Sequence, residues 1–151
     1  FTIPYSCVFT YESLNFLIKT DSLSKYSKNI SSSLGVILII VVLFNTGKLY
    51  TAIKLTLTVF MLAYVLIENF SFMGKFYRAY LVCLIPFFVV NGLLTWIPVV
   101  TYNDQENLGI RIGTIPIEDT VYMLLLLLMN VCLYEYFKQL LSKDVKPKSK
   151  Y

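Results

Sequence analysis

Long apolar runs alternate along the chain with short polar breaks. Phe1 to Phe16 is the first run, with Pro4 in its first visible turn and Tyr11-Glu12 near its end. Lys19 to Ser33 is polar and serine-rich, and Ser31 to Ser33 are placed to cap the next helix. The second segment, about 34–48, is apolar only as far as Asn45, so it needs its flanks to cross a bilayer. Thr46-Gly47 turns into the third segment, about 50–68, closed by Glu68-Asn69, with Lys54 one turn in where its ammonium can snorkel to the headgroups. A loop over 70–78 leads to the fourth, about 79–100, which contains Pro86, Asn91, Gly92, Trp96 and Pro98. Such residues are tolerated in a span when neighbouring helices satisfy the freed backbone groups. A long loop from Thr101 to Pro116 precedes the last segment, about 117–137, and a polar tail, 138–151, is expected to be mobile.

Crossing about 30 Å of hydrocarbon takes roughly 20 apolar residues. The pattern therefore predicts an all-α, polytopic transmembrane helix bundle of about five hydrophobic segments in a single domain. Composition agrees: 57% of the 151 residues are hydrophobic and 15% charged, with a mean hydropathy of +0.68. A soluble domain of this size carries more charge.

The net charge of +4 resides mainly in loops and tail. Lys19, Lys25, Lys28, Lys75, Arg78, Lys138, Lys143, Lys146, Lys148 and Lys150 fall on one side, against Lys48, Lys54 and Arg111 on the other. The positive-inside rule makes the first side cytoplasmic, so a multi-pass protein of the cell membrane with its C-terminus inside is expected. These bases flank membrane-length segments without interleaved exposed aromatics, which points to anionic membrane lipid and away from nucleic acid.

The chain has no histidine, and Cys7, Cys83 and Cys132 all lie in apolar runs. Histidine-based metal sites, Cys-His catalysis and a disulfide framework are not expected, and no dinucleotide-binding glycine fingerprint is present. No cofactor is expected. The opening residues lack a basic n-region and begin in mid-hydrophobic stride, so the chain is expected to be a piece of something longer.

Tyr11-Glu12 near the end of the first run echoes Tyr134-Glu135 near the end of the last, each following an apolar run with a cysteine. Both segments run from outside to inside in the orientation above, as parallel repeats would.

The acids most in need of explanation are Glu118 and Asp119, which follow Pro116 at the start of the last segment. Being adjacent, they point about 100° apart on a helix. One can face a cavity while the other orients it. A carboxyl partly removed from water beside a second acid suits a general acid near neutral pH, and two acids that merely cap the helix and meet its dipole suit the same pattern. Arg111, a short turn earlier, has two roles open to it: pairing with one of the acids and holding it ionised, or sitting at the headgroups. Asn130 and Tyr134 share a face four residues apart, and with Glu135, Tyr11 and Glu12 they form a second polar set whose simplest role is hydrogen bonding between helices. Asn91, deeper in a span, carries the same ambiguity.

Leu108 to Asp119, Leu-Gly-Ile-Arg-Ile-Gly-Thr-Ile-Pro-Ile-Glu-Asp, resembles the hallmark of the lycopene cyclase domain family, and Met123 to Phe137 looks like the end of the second half of its bacterial members. That family comprises small membrane proteins of carotenoid biosynthesis, two separate subunits in some bacteria and one fused chain in others. Each half carries Pro-x-Glu-Glu or Pro-x-Glu-Asp at a helix start. Pro116, Glu118 and Asp119 match the second copy, while Phe1 to Tyr5 looks like the continuation just after the first. The resemblance implies a lycopene β-cyclase, an isomerase or intramolecular lyase without net redox change. Glu118, supported by Asp119, would protonate a terminal double bond of the polyene, and loss of a ring proton would leave a β-ionone end. It also implies a missing N-terminal half or a homologous subunit as partner. A non-catalytic subunit of a heteromeric cyclase and a small transporter component, with Asn91 and the acids along its path, are the competing readings.

Overall fold

The computed structural model describes residues 2–144. Five helices follow one another: α1 (Thr2–Leu17), α2 (Ser24–Phe44), α3 (Leu49–Glu68), α4 (Met73–Trp96) and α5 (Ile117–Asp144). Between α4 and α5 lie two short strands, β1 (Arg111–Ile112) and β2 (Ile115–Pro116), paired antiparallel. The protein is thus an all-α polytopic bundle with one small hairpin. Helices α2, α3, α4 and α5 are each long and apolar enough to cross a membrane.

The helices pack as a ring in the order α2, α3, α5, α1, α4 and back to α2, with α4 also touching α5. On α3 the buried residues Thr51, Leu55, Thr58, Leu62 and Val65 recur every three or four positions and make one inward stripe. Leu124, Leu127, Leu128 and Val131 of α5 are buried. Large apolar residues on the outer faces, such as Val36, Ile37 and Ile40 of α2 and Ile85, Val89 and Leu93 of α4, are exposed. Such faces suit lipid and would aggregate in water.

Helix boundaries depart from the sequence reading in three places. The serine-rich connection is not a cap: α2 already begins at Ser24. Ser27 and Ser31 lie inside it and donate to the carbonyls of Ser24 (2.8 Å) and Ser27 (2.9 Å), so their hydroxyls are satisfied within the helix. Ser31 also shares a 2.6 Å hydrogen bond with Tyr77 of α4. The loop expected over 70–78 is mostly the first two turns of α4, which ends at Trp96. There the amides of Val99 and Val100 both donate to the carbonyl of Leu94 and turn the chain away before Pro98 can extend the helix. The tail from Lys138 stays helical to Asp144, and 145–151 lie outside the described residues. By contrast α3 closes where expected: Asn69 adopts a left-handed conformation (φ 53°) and its amide donates to Val65.

Candidate active site

Everything that surrounds the acid pair lies at one end of the ring, where α3 and α5 begin and α4 ends. The hairpin roofs this end. Its register pairs Arg111 with Pro116 and Ile112 with Ile115, leaving Gly113-Thr114 as a two-residue turn. Gly113 has φ 64° while Thr114 stays out of the left-handed region, as a type II′ turn with glycine first requires. Ile115 and Pro116 are buried. Thr114 exchanges a short hydrogen bond with Thr95 near the end of α4, and the amide of Ile117 donates to Ile110 at 3.0 Å. Pro116 therefore delivers the chain into α5 at a fixed angle.

The preceding loop reaches across to α3. The carboxylate of Glu106 accepts from the amide of Leu49 at 3.1 Å, satisfying an otherwise free donor at the positive end of α3. Asn107 accepts from the amide of Gly109 at 2.7 Å, and the neighbouring amide of Leu108 then points to Glu118 Oε1 at 2.6 Å. Oε1 also accepts from the Thr51 hydroxyl at 2.8 Å. Glu118 is 0% exposed, and its Oε2 is buried without a hydrogen-bond partner among the described residues.

Asp119 faces the other way, as adjacency on a helix requires, and its surroundings differ in kind. Its Oδ1 accepts from Lys54 Nζ (2.7 Å) and from the Tyr50 hydroxyl (2.6 Å), and its Oδ2 accepts from the Tyr102 hydroxyl. The Lys54 ammonium lies 3.5 Å from the centre of the Tyr50 ring and 4.7 Å from that of Tyr122, where the electron-rich faces favour a cation. A lone ammonium this far into a span is costly, and the carboxylate with two rings replaces the water it loses. Tyr102, on the loop before the hairpin, has its hydroxyl pushed up to about 12, by burial first and then by the Asp119 carboxylate.

A cavity of about 630 Å³ opens beside Asp119. Its wall includes Cys7, Pro86, Phe87, Val90, Leu94 and Met123 together with Tyr50, Lys54, Tyr102 and Asn91. Asp119 borders this space, while Glu118 stands behind it against Thr51 and Leu108.

The sequence-named residues are divided between two ends of the bundle. Glu118, Asp119, Pro116, Arg111 and Asn91 gather at the hairpin end. Arg111 pairs with neither acid: it meets Asp104 and donates to the carbonyl of Thr114 at 3.0 Å. Its guanidinium holds the exposed Asp104 carboxyl below the usual aspartate range, and the contact ties the loop to the hairpin turn. Lys54 does not snorkel, because Asp119 gives it a partner inside the bundle. Glu12, Tyr134 and Glu135 lie at the far end, since the 17 positions from Glu118 to Glu135 span about 25 Å of helix. There Tyr11 donates to Glu135 at 2.7 Å, Tyr11 and Tyr134 meet edge to face, and Lys138 pairs with Glu12 at 2.8 Å. The two echoed Tyr-Glu dipeptides thus touch, and the pairs Tyr11 with Glu135 and Glu12 with Lys138 advance along α1 and α5 in the same sense. Asn130 donates to Leu126 of its own helix at 2.7 Å and, among the described residues, bridges to no other helix.

Tyr50, Thr51, Tyr102 and Tyr122 are site residues that the sequence expectations do not include, and Lys54 is beside Asp119 and not at the lipid headgroups. One signal was available for the first part. Tyr50, Thr51, Lys54 and Thr58 form a polar stripe at helical spacing in an otherwise apolar segment, and such a stripe must face protein.

Neither the curated proteins nor the solved structures offer a match. The family model described as lycopene cyclase matches residues 47–137, which take in α3, α4, the hairpin and the apolar length of α5, and hence every hydrogen-bond partner of the acid pair named above. With more than half of its length inside that match, the chain belongs to the lycopene cyclase family, cyclases that act on a polyene carotenoid in a membrane setting.

Proposed function

We propose that this chain forms the catalytic acid site of a lycopene β-cyclase, an isomerase or intramolecular lyase that closes the linear ends of the carotenoid into β-ionone rings. The observation that carries this reading is the asymmetry of two adjacent buried carboxyls beside an apolar cavity. Glu118 has no ion-pair partner among the described residues and one unpartnered oxygen, and in this reading that oxygen carries the proton to be given. Asp119 is matched by Lys54 and two hydroxyl donors, which suits a carboxylate.

In this reading Glu118 donates its proton to a terminal alkene carbon of the polyene, breaking O–H and forming C–H. The next double bond attacks the tertiary cation, closing the ring. Asp119, at the cavity wall, stabilises the developing charge and removes a ring proton, so the overall change is an isomerisation. Because Glu118 stands just behind that wall, the substrate end must press toward Thr51 and Leu108 or the carboxyl must swing outward. Apolar walls keep water from quenching the cation, and the faces of Tyr50, Tyr102, Tyr122 and Phe87 suit a positive charge.

Arg111 and Pro116 serve this site by holding the hairpin over it, and Asn91 supplies a polar point on the cavity wall. Glu12, Asn130, Tyr134 and Glu135 serve the packing of the far end. We infer further that the helices form one transmembrane domain, which works with a homologous half or subunit as the family resemblance implies. The basic residues of the far end orient it toward the cytoplasm of a cell membrane, with the acid site toward the outer face.

Producing the full-length gene product in cells that accumulate lycopene tests the reading, with the carotenoids separated by chromatography and identified by mass and absorption. β-Carotene and its one-ringed precursor are the expected products. Unchanged lycopene, with the protein present in the membrane, leaves the non-catalytic subunit or the transporter as the better account.

A further inference from the structure

A second space adjoins the acid site from outside. A cleft of about 330 Å³ is bounded by Thr95, Val100, Thr101, Tyr102, Arg111, Gly113 and Thr114. Thr101, Arg111 and Gly113 are exposed, so this cleft communicates with the medium at the hairpin end. Tyr102 belongs to its wall and also to the wall of the apolar cavity. The hydroxyl of that shared residue donates to Asp119 Oδ2. Tyr50 and Lys54, the other two donors to Asp119, border the inner cavity and do not line the cleft.

From this placement we infer that Tyr102 is a proton relay, joining Asp119 to the outer cleft while its ring keeps bulk water out of the cavity. The inference rests on the cyclase reading above. In one turnover Glu118 loses a proton to the substrate and Asp119 gains one from the ring, so the pair must be reset before the next. When Asp119 becomes protonated its hydrogen bond to Tyr102 reverses: the carboxyl donates to the phenol oxygen, and the phenol turns its own proton toward cleft water. Return of a proton by the same path restores the carboxyl with a solvent-derived proton, which passes to Glu118 when that carboxyl swings outward to the cavity wall. No proton is gained or lost over the cycle, and no other reactant is required. A tyrosine suits this task because one hydroxyl accepts and donates at once, and its body is apolar enough to seal the wall.

The experiment supplies lycopene in detergent micelles to membranes carrying the full-length gene product in D2O, and reads the deuterium content of the cyclic product by mass spectrometry. With the unaltered protein one deuterium per ring is expected. Tyr102→Phe keeps the ring but not the relay, so the proton taken from one ring is reused, and deuterium per ring should fall to less than half. Tyr50→Phe removes a donor from the same carboxylate away from the cleft, and it should keep the full deuterium content even if turnover slows. Equal labelling by Tyr102→Phe and the unaltered protein, or unlabelled rings from the latter, overturns the relay while leaving the cyclase reading in place. Absence of any cyclic product from the unaltered protein overturns both. Should Tyr102→Phe yield no product, Thr114→Val on the far wall of the cleft decides: lowered deuterium supports the relay, and unchanged deuterium overturns it.

Discussion

The two ends of α5 each join a tyrosine to a carboxylate, yet only one of them sets that pair beside a second buried acid and a cavity. At the far end Tyr11 donates to Glu135, and the Lys138 and Glu12 side chains beside it are 50% and 37% exposed. At the hairpin end the Lys54 and Asp119 side chains are 16% and 8% exposed, a second acid is fully buried behind them, and an apolar cavity lies in front. The family match covers α5 from its start through Phe137, and so takes in Glu135, but it includes neither Lys138 nor Tyr11 and Glu12 of α1. Residue types therefore do not distinguish a packing contact from a chemical one. The loss of water around the charges and an adjoining space do.

Four substitutions test how far this contrast holds. The largest effect is expected from Glu118→Gln, which keeps the bonds to Thr51 and Leu108 approximately but has no proton to give: ring formation in lycopene-supplied membranes should fall by about 10²- to 10⁴-fold. A yield equal to that of the unaltered protein would remove Glu118 as the donor. Next comes Asp119→Asn, which leaves the Lys54 ammonium without its counter-ion. It should cost about 3 kcal/mol of stability, read as a lowered unfolding temperature in detergent, and also reduce ring formation. Stability that does not change would mean that Lys54 finds water or another partner, and the proposed anionic role of Asp119 would weaken with it.

At the far end the effects should be smaller and confined to stability. Tyr11→Phe deletes the hydroxyl that serves Glu135 and should cost about 1 kcal/mol, with ring formation per folded protein unchanged. Glu12→Gln breaks a solvent-exposed pair and should shift stability by less than about 1 kcal/mol, less still at high salt. A strong loss of cyclisation in either variant would show that the two ends act together and would erase the distinction drawn here.

The chain by itself determined the bundle. Runs of about twenty apolar residues, the breaks at Asn45 to Lys48 and at Glu68-Asn69, and the biased placement of lysines dictate membrane helices and their order, because backbone groups in hydrocarbon can be satisfied only within a helix or a closed barrel. Pro116-Ile117-Glu118-Asp119 was legible as a helix start bearing two acids, and adjacency alone required the two to face different surroundings. What those surroundings are was decided by the tertiary structure. Lys54 is separated from Asp119 by 65 positions, and Tyr50 by 69, and whether an ammionium in a span reaches the headgroups or a carboxylate depends on which helix packs beside it. The pairing of Arg111 with Asp104, the capture of Glu118 by the Leu108 amide and the exposure of Tyr102 to two spaces all follow from how one loop folds across the mouth of the ring. Periodicity fixes which residues share a helix face, and only packing fixes what that face meets.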